Sequence, residues 1–171
     1  AYYNQIKVGH VEAGLRTYDK YQPFPEEMNR CLTSQLTDLH FAPTALAKQH
    51  LLQENINQNN IFVTGNTVID VLQTTIEQNY HFTVEELNQI DIDKKKVIAM
   101  TAHRRENIVK PLENICNAVL KIVQEQEDVE VVYAVHKNPA VSEPVHAILG
   151  NHKRIHLLEP LDLKDMHNLM S

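Results

Sequence analysis

The sequence predicts an α/β fold of parallel sheets covered by helices, and three observations carry that expectation. Short apolar runs rich in β-branched residues alternate with longer amphipathic stretches. The runs are near-continuously apolar instead of alternating, as strands buried on both faces are. Helical patterns, not hairpin turns, separate them. Strands are expected at Ile6 to Val11, Leu39 to Phe41, Ile61 to Thr64, Val97 to Thr101, Val129 to Val135 and Ile155 to Leu158. Helices are expected at Glu26 to Thr37, Thr44 to Glu54, Thr67 to Gln78, Val84 to Gln89, Lys110 to Gln126, Pro139 to Leu149 and from Leu163 onward. Pro43 with Thr44 and Asn66 with Thr67 suit helix starts, and Thr83 followed by Glu86 reads as a capping box. The polar stretch Tyr80 to Lys96, with its charge run Asp91 to Lys96, reads as a linker. The expected organisation is therefore one domain over 1–79, a linker region over 80–96, and a second domain over 97–171.

Composition narrows the function. With 171 residues, 43% of them hydrophobic, the chain can bury a core as one domain or two smaller halves. A formal charge of -6 argues against a nucleic-acid partner, because phosphate-backbone binding rests on cationic surface. An anionic ligand must then be held by local clusters, and the arginines are Arg16, Arg30, Arg104, Arg105 and Arg154. Cys31 and Cys116 are far apart and lack metal-type spacing, which suggests a reducing cytoplasm. No apolar run approaches the roughly 18 residues that span a bilayer, and no export signal is visible, so neither a membrane partner nor secretion is expected. The chain opens at Ala1 without an initiator Met and stops at Ser171 within a helical pattern, and both ends read as cuts.

Ligands in open parallel sheets bind beyond the carboxyl ends of the strands, so the polar residues there are the first candidates. The first strand runs into Gly9-His10-Val11-Glu12-Ala13-Gly14-Leu15-Arg16, where alternation puts His10 and Glu12 on one face if the strand continues that far. Glu12 then sits at the rim, either for catalysis or simply paired with Arg16. In Pro23-Phe24-Pro25-Glu26-Glu27-Met28-Asn29-Arg30, Pro25 suits a helix start and the two carboxylates suit its positive end, which by itself is only weak evidence for a site. The fourth strand runs into Ala102-His103-Arg104-Arg105-Glu106. An imidazole and two guanidiniums before a helix suit phosphate oxygens and proton transfer near neutral pH. Val135-His136-Lys137-Asn138-Pro139 repeats the placement, and two strands each offering His and a cation suggest a shared anionic ligand. There is no G-x-x-x-x-G-K-[ST] or G-x-G-x-x-G, so neither an ATPase nor an ordinary nicotinamide dehydrogenase is supported. The remaining histidines, His146, His152, His156 and His167, form no convincing ligand set, and neither metal nor cofactor is expected.

Taken together, GHVEAGLRT at Gly9 to Thr17, PFPEEMNR at Pro23 to Arg30, FVTGNTVID at Phe62 to Asp70, TAHRRE at Thr101 to Glu106 and VHKNP at Val135 to Pro139 resemble the bacterial non-hydrolysing UDP-N-acetylglucosamine 2-epimerases. The resemblance runs over essentially the whole chain. It implies two Rossmann-like domains of the GT-B type facing a nucleotide-sugar cleft, with only part of each domain present here. The family's amino-terminal glycine-containing loop, a catalytic aspartate lying before residue 1, and a later Ser/Gly/Glu segment would lie outside this central portion. It further implies UDP elimination from UDP-N-acetylglucosamine to a 2-acetamidoglucal, then re-addition giving UDP-N-acetylmannosamine for surface polysaccharides. The roles implied are Glu12, Glu26 and His103 in catalysis, and His10, Arg16, Arg104, His136 and Asn138 in substrate binding. A cytoplasmic homodimer without cofactor is expected for the complete enzyme, with the 171 residues alone inactive. A hydrolysing relative, a glycosyltransferase and a nucleotide-sugar-binding fragment are the alternatives.

Overall fold

The apolar runs become strands, and each is followed by a helix. The computed structural model describes residues 1–91, 94–102 and 110–171. These fall into two units, Ala1–Thr74 and Thr75–Ser171. The first contains β1 (Gly9–Val11), α1 (Glu26–Leu36), β2 (Leu39–Ala42), α2 (Ala45–Gln53), β3 (Ile61–Val63) and most of α3 (Thr67–Thr75). Its sheet is parallel in the order β1-β2-β3, with His10 opposite His40 and Phe41 opposite Phe62. β1 is shorter than the sequence suggests because the Val8 amide donates to the Asp38 carboxylate at 2.7 Å instead of entering the ladder.

The core of this unit is small: Ala13, Ala42, Ala47, Leu51 and Ile61. Small side chains let the backbone after β1 lie directly on α2. Gly14 has φ 86, and a Cβ there would overlap the Ala47 carbonyl oxygen, so only glycine fits. The Gly14 carbonyl lies 2.9 Å from His50 Nδ1, which ties the turn to α2. Thr44 caps α2, its hydroxyl accepting from the Ala47 amide as its position predicts.

The second unit contains α4 (Glu85–Asn88), β4 (Lys96–Met100), α5 (Lys110–Glu125), β5 (Val129–Ala134), α6 (Pro139–Leu149), β6 (Ile155–Leu158) and α7 (Leu163–Leu169). Its sheet is parallel, ordered β4-β5-β6. Central β5 is almost wholly buried. On one side Val131 and Tyr133 meet Leu112, Cys116 and Val123 of α5 and Val141, Val145 and Leu149 of α6. On the other, Val132 and Leu158 meet Phe82, Leu87 and Ile90. The stretch expected as a linker thus contributes three apolar side chains to the second unit, the apolar positions standing out only once α4 forms. At about 1.5–3 kcal/mol for each fully buried large aliphatic side chain, this double-faced core outweighs the first unit's several-fold. Arg154 closes the end of α5, its guanidinium donating to the carbonyls of Val123, Gln126 and Val129. The capping box at Thr83 does not form. Val84 precedes α4, and the Thr83 hydroxyl instead donates to Asp165 of α7.

Both sheets are parallel and helix-covered, as the sequence predicts.

Candidate functional site

In the first unit the polar residues gather at the carboxyl end of β1. His10 ends up half-buried and lies beside His40 across the ladder. Register partners share a sheet face, so the two imidazoles are neighbours. His40 is 1% exposed. The Nδ1 atoms of both rings are buried without a hydrogen-bond partner among the described residues. Burial holds both imidazoles below their ordinary pKa. For His10 the proximity of His40, Arg16 and Arg30 adds to that, with Glu12 opposing it. For His40 a backbone hydrogen bond to Thr37 opposes it.

The strand alternation that would align His10 with Glu12 stops at Val11. Glu12 has φ 61, a left-handed turn that redirects its side chain into solvent. Nor does Glu12 pair with Arg16. The Arg16 side chain is 1% exposed and grips Glu54 with two bonds, Nε to Oε1 at 2.6 Å and Nη2 to Oε2 at 2.8 Å. Its remaining bonds reach Ser34 and the Leu15 carbonyl. Arg16, expected to touch a ligand, therefore fixes the loop after β1 against α1 and α2. Glu54 raises its already high pKa.

Glu26 and Glu27 open α1 with opposite fates. Glu26 is exposed at the first helical position. Glu27 is 3% exposed, and its carboxylate accepts from the Thr17 amide at 3.1 Å and the Tyr18 amide at 2.9 Å. The loop carrying Glu12 and the helix start carrying Glu26 are thereby joined through Glu27. Sequence reading missed the joining roles of Glu27 and Glu54, whose partners are distant in the chain. It also missed His40, whose only signal is its position opposite His10.

In the second unit, His103 and Arg104 lie outside the described residues. His136 is exposed just past β5, and its Nδ1 accepts from the Asn138 amide at 3.1 Å. The Asn138 side chain caps α6 by accepting from the Ala140 amide, so one face of that amide group is structural. A cleft between the ends of β5 and β6 and the face of α6 is lined by His136, Lys137, Ser142, His146, Leu157 and Glu159. Lys137 reaches Glu159 at 2.7 Å with both side chains mostly exposed, a pair that a ligand anion can open at little cost. His136 also lines a second hollow with Thr101, Pro160, Leu161 and Met166. Among the described residues no group of His, Cys, Asp and Glu is arranged to hold a metal ion, and no helix is long and apolar enough to cross a membrane.

Parallel helix-covered sheets with imidazoles, carboxylates and a cation beyond their strand ends define a Rossmann-like α/β protein. The family model of UDP-N-acetylglucosamine 2-epimerases matches residues 1–171, and the chain belongs to that family. It is 55% identical over 168 residues to the UDP-N-acetylglucosamine 2-epimerase of Bacillus subtilis, covering 98% of this chain and 43% of the relative. It is 45% identical over 173 residues to the Escherichia coli K12 enzyme of that name, covering 94% and 44%. Among solved structures, the S. aureus MnaA structure with UDP superposes with a TM-score of 0.87 at 54% identity, covering 97% of this chain and 43% of that one. The Neisseria meningitidis enzyme bound to UDP-N-acetylglucosamine does so with a TM-score of 0.87 at 40% identity, covering 99% and 47%. The chain thus spans less than half the length of these relatives.

Proposed function

We propose that a protein carrying this chain at the length of its relatives interconverts UDP-N-acetylglucosamine and UDP-N-acetylmannosamine without net hydrolysis, for surface polysaccharide synthesis. The observation that carries the reading is the match of the epimerase family over residues 1–171, together with exposed Glu12 and Glu26 joined through Glu27 beyond β1. UDP leaves across the C1–C2 bond as a base takes the C2 proton, giving 2-acetamidoglucal. UDP then re-adds at C1 while C2 receives a proton on the opposite face. The chemistry needs proton carriers on both faces of C2 and stabilisation of the leaving diphosphate. Glu12 and Glu26 are the proposed carriers, with His103 at proton transfer or the diphosphate. His10, Arg104, His136 and Asn138 are proposed to contact the nucleotide sugar, and Arg16 to act by holding the loop. We place the Rossmann-like domains on either side of the 80–96 region and take the complete enzyme to be a cytoplasmic homodimer.

Proton NMR of UDP-N-acetylglucosamine in deuterium oxide tests this. The full-length protein is expected to place deuterium at C2 and form UDP-N-acetylmannosamine, and Glu26→Gln to slow exchange by at least about a hundredfold, the usual worth of a positioned acid or base. Undiminished exchange in that variant removes Glu26 from the role. Free N-acetylmannosamine as product identifies a hydrolysing enzyme instead. The isolated 171 residues are expected to be inactive, binding nucleotide sugar at most, because they span less than half of the relatives' length.

A further inference from the structure

α1 turns a stripe of polar side chains towards the loop after β1. Glu27, Arg30 and Ser34 follow one another at helical spacing, which puts them on one side of the helix. The outer two are buried and engaged. Glu27 accepts from the Thr17 and Tyr18 amides, while Ser34 accepts from Arg16 and donates to the Arg30 carbonyl. Arg30, between them, differs. It is half-buried, and its guanidinium has no hydrogen-bond or ion-pair partner among the described residues. It lies close enough to His10 to act on the charge of that imidazole, and Glu26 stands one helical turn before it. Arg16, the other arginine of the first unit, is held by Glu54 and Ser34.

We propose that Arg30 is a ligand-contacting residue whose guanidinium takes an oxyanion of the diphosphate in the nucleotide sugar, an assignment that rests on the reading given under Proposed function. The ligand is anionic, and Glu12 and Glu26 are exposed carboxylates beyond β1 that repel it. A guanidinium beside them offsets that repulsion only if no protein carboxylate already holds it. Arg16 fails this condition and Arg30 meets it. A half-buried guanidinium without a partner has lost part of its hydration with nothing in return. An incoming phosphate oxygen pair restores the balance, because it matches the planar fork of donors.

The test uses the protein at the length of its relatives and reads UDP binding by calorimetry separately from deuterium entry at C2. Arg30→Ala is expected to weaken UDP binding on the order of thirtyfold, the worth of hydrogen bonds to a charged group. Arg30→Lys keeps the charge without the fork and should recover part of that loss. Amide exchange at Thr17 and Tyr18 should stay unchanged in both variants, because the acceptor of both amides is Glu27. Unaltered UDP affinity in Arg30→Ala would overturn the assignment. So would a loss of affinity accompanied by faster exchange at Thr17 and Tyr18, which would make Arg30 a structural residue. If the unaltered protein binds UDP through Arg30 but places no deuterium at C2, the epimerase reading fails and the Arg30 contact stands. If deuterium enters while Arg30→Ala binds UDP normally, the contact fails and the reading stands. No UDP binding by the unaltered protein would overturn both.

Discussion

The two units reach the same topology by different means. The second is built on an apolar core packed against both faces of β5, with polar contacts added at its edges. The first buries a handful of mostly small side chains and leaves Val11, Phe62, Val63, Leu32 and Leu36 exposed. What orders its site is polar: Arg16 on Glu54 and Ser34, and Glu27 on the amides of Thr17 and Tyr18. Directional contacts of this kind fix a loop's position more sharply than apolar packing does, and they fail more abruptly when one partner is lost.

The comparison is broken most forcefully from the apolar side. Leu149→Ala removes a fully buried side chain from the second unit's main core. It is expected to cost about 4 kcal/mol, near the upper range for such cavities, with exchange rising across β5 and α6 and little change in 9–63. Uniform loosening of both units would show that they do not fold separately. Arg16→Ala should cost the first unit about 3 kcal/mol, the lower end for a broken buried pair because Glu54 keeps 24% side-chain exposure. Exchange should then rise at Leu15 to Tyr18 and leave the second unit's core unaffected.

Acid sharpens the contrast with a smaller effect. His10 and His40 have folded pKa values lowered by burial, so the unfolded chain takes up protons first, and the first unit loses stability as pH falls below about 6.5. Asp165 differs. Burial raises its pKa, but hydrogen bonds from Thr83, Tyr80 and the Val84 amide outweigh that and leave it lowered. Its contribution is present above the ordinary aspartate value of about 3.9 and is lost only as pH falls through the folded value below that. Exchange corrected for intrinsic pH dependence should therefore show the first unit loosening between pH 7 and 5 while 80–84 holds. His40→Asn should weaken that dependence, and equal loosening of both units would remove the histidines as its cause.

Much of the fold was legible because its signals are local. Apolar runs and helix periods placed every described strand and α-helix to within a few residues, and the Thr44 cap was readable from neighbours in the chain. What escaped depended on distant partners. Ile6 to Val8 look like strand, but Asp38, 30 residues on, takes the Val8 amide. Thr83 and Glu86 look like a capping box, but Asp165 takes the hydroxyl from 82 residues away. At the site, exposed Glu12 and Glu26 follow from position after a strand and at a helix start. The diversion of Arg16 to Glu54 does not, because nothing local to either residue records it. Asp165, His167 and Asn168 likewise carry no local sign of burial, because their partners lie far back in the chain.

The buried carboxylate of Glu27 has a mechanical side. It is bonded at once to the first turn of α1 and to the amides just beyond the Gly14 turn, so it works as a pin through two otherwise separate pieces of backbone. A displacement of the Thr17–Tyr18 loop is transmitted to the helix start, and Glu26 travels with it. Two adjacent glutamates thus divide between a buried anchor and an exposed carboxylate held by it.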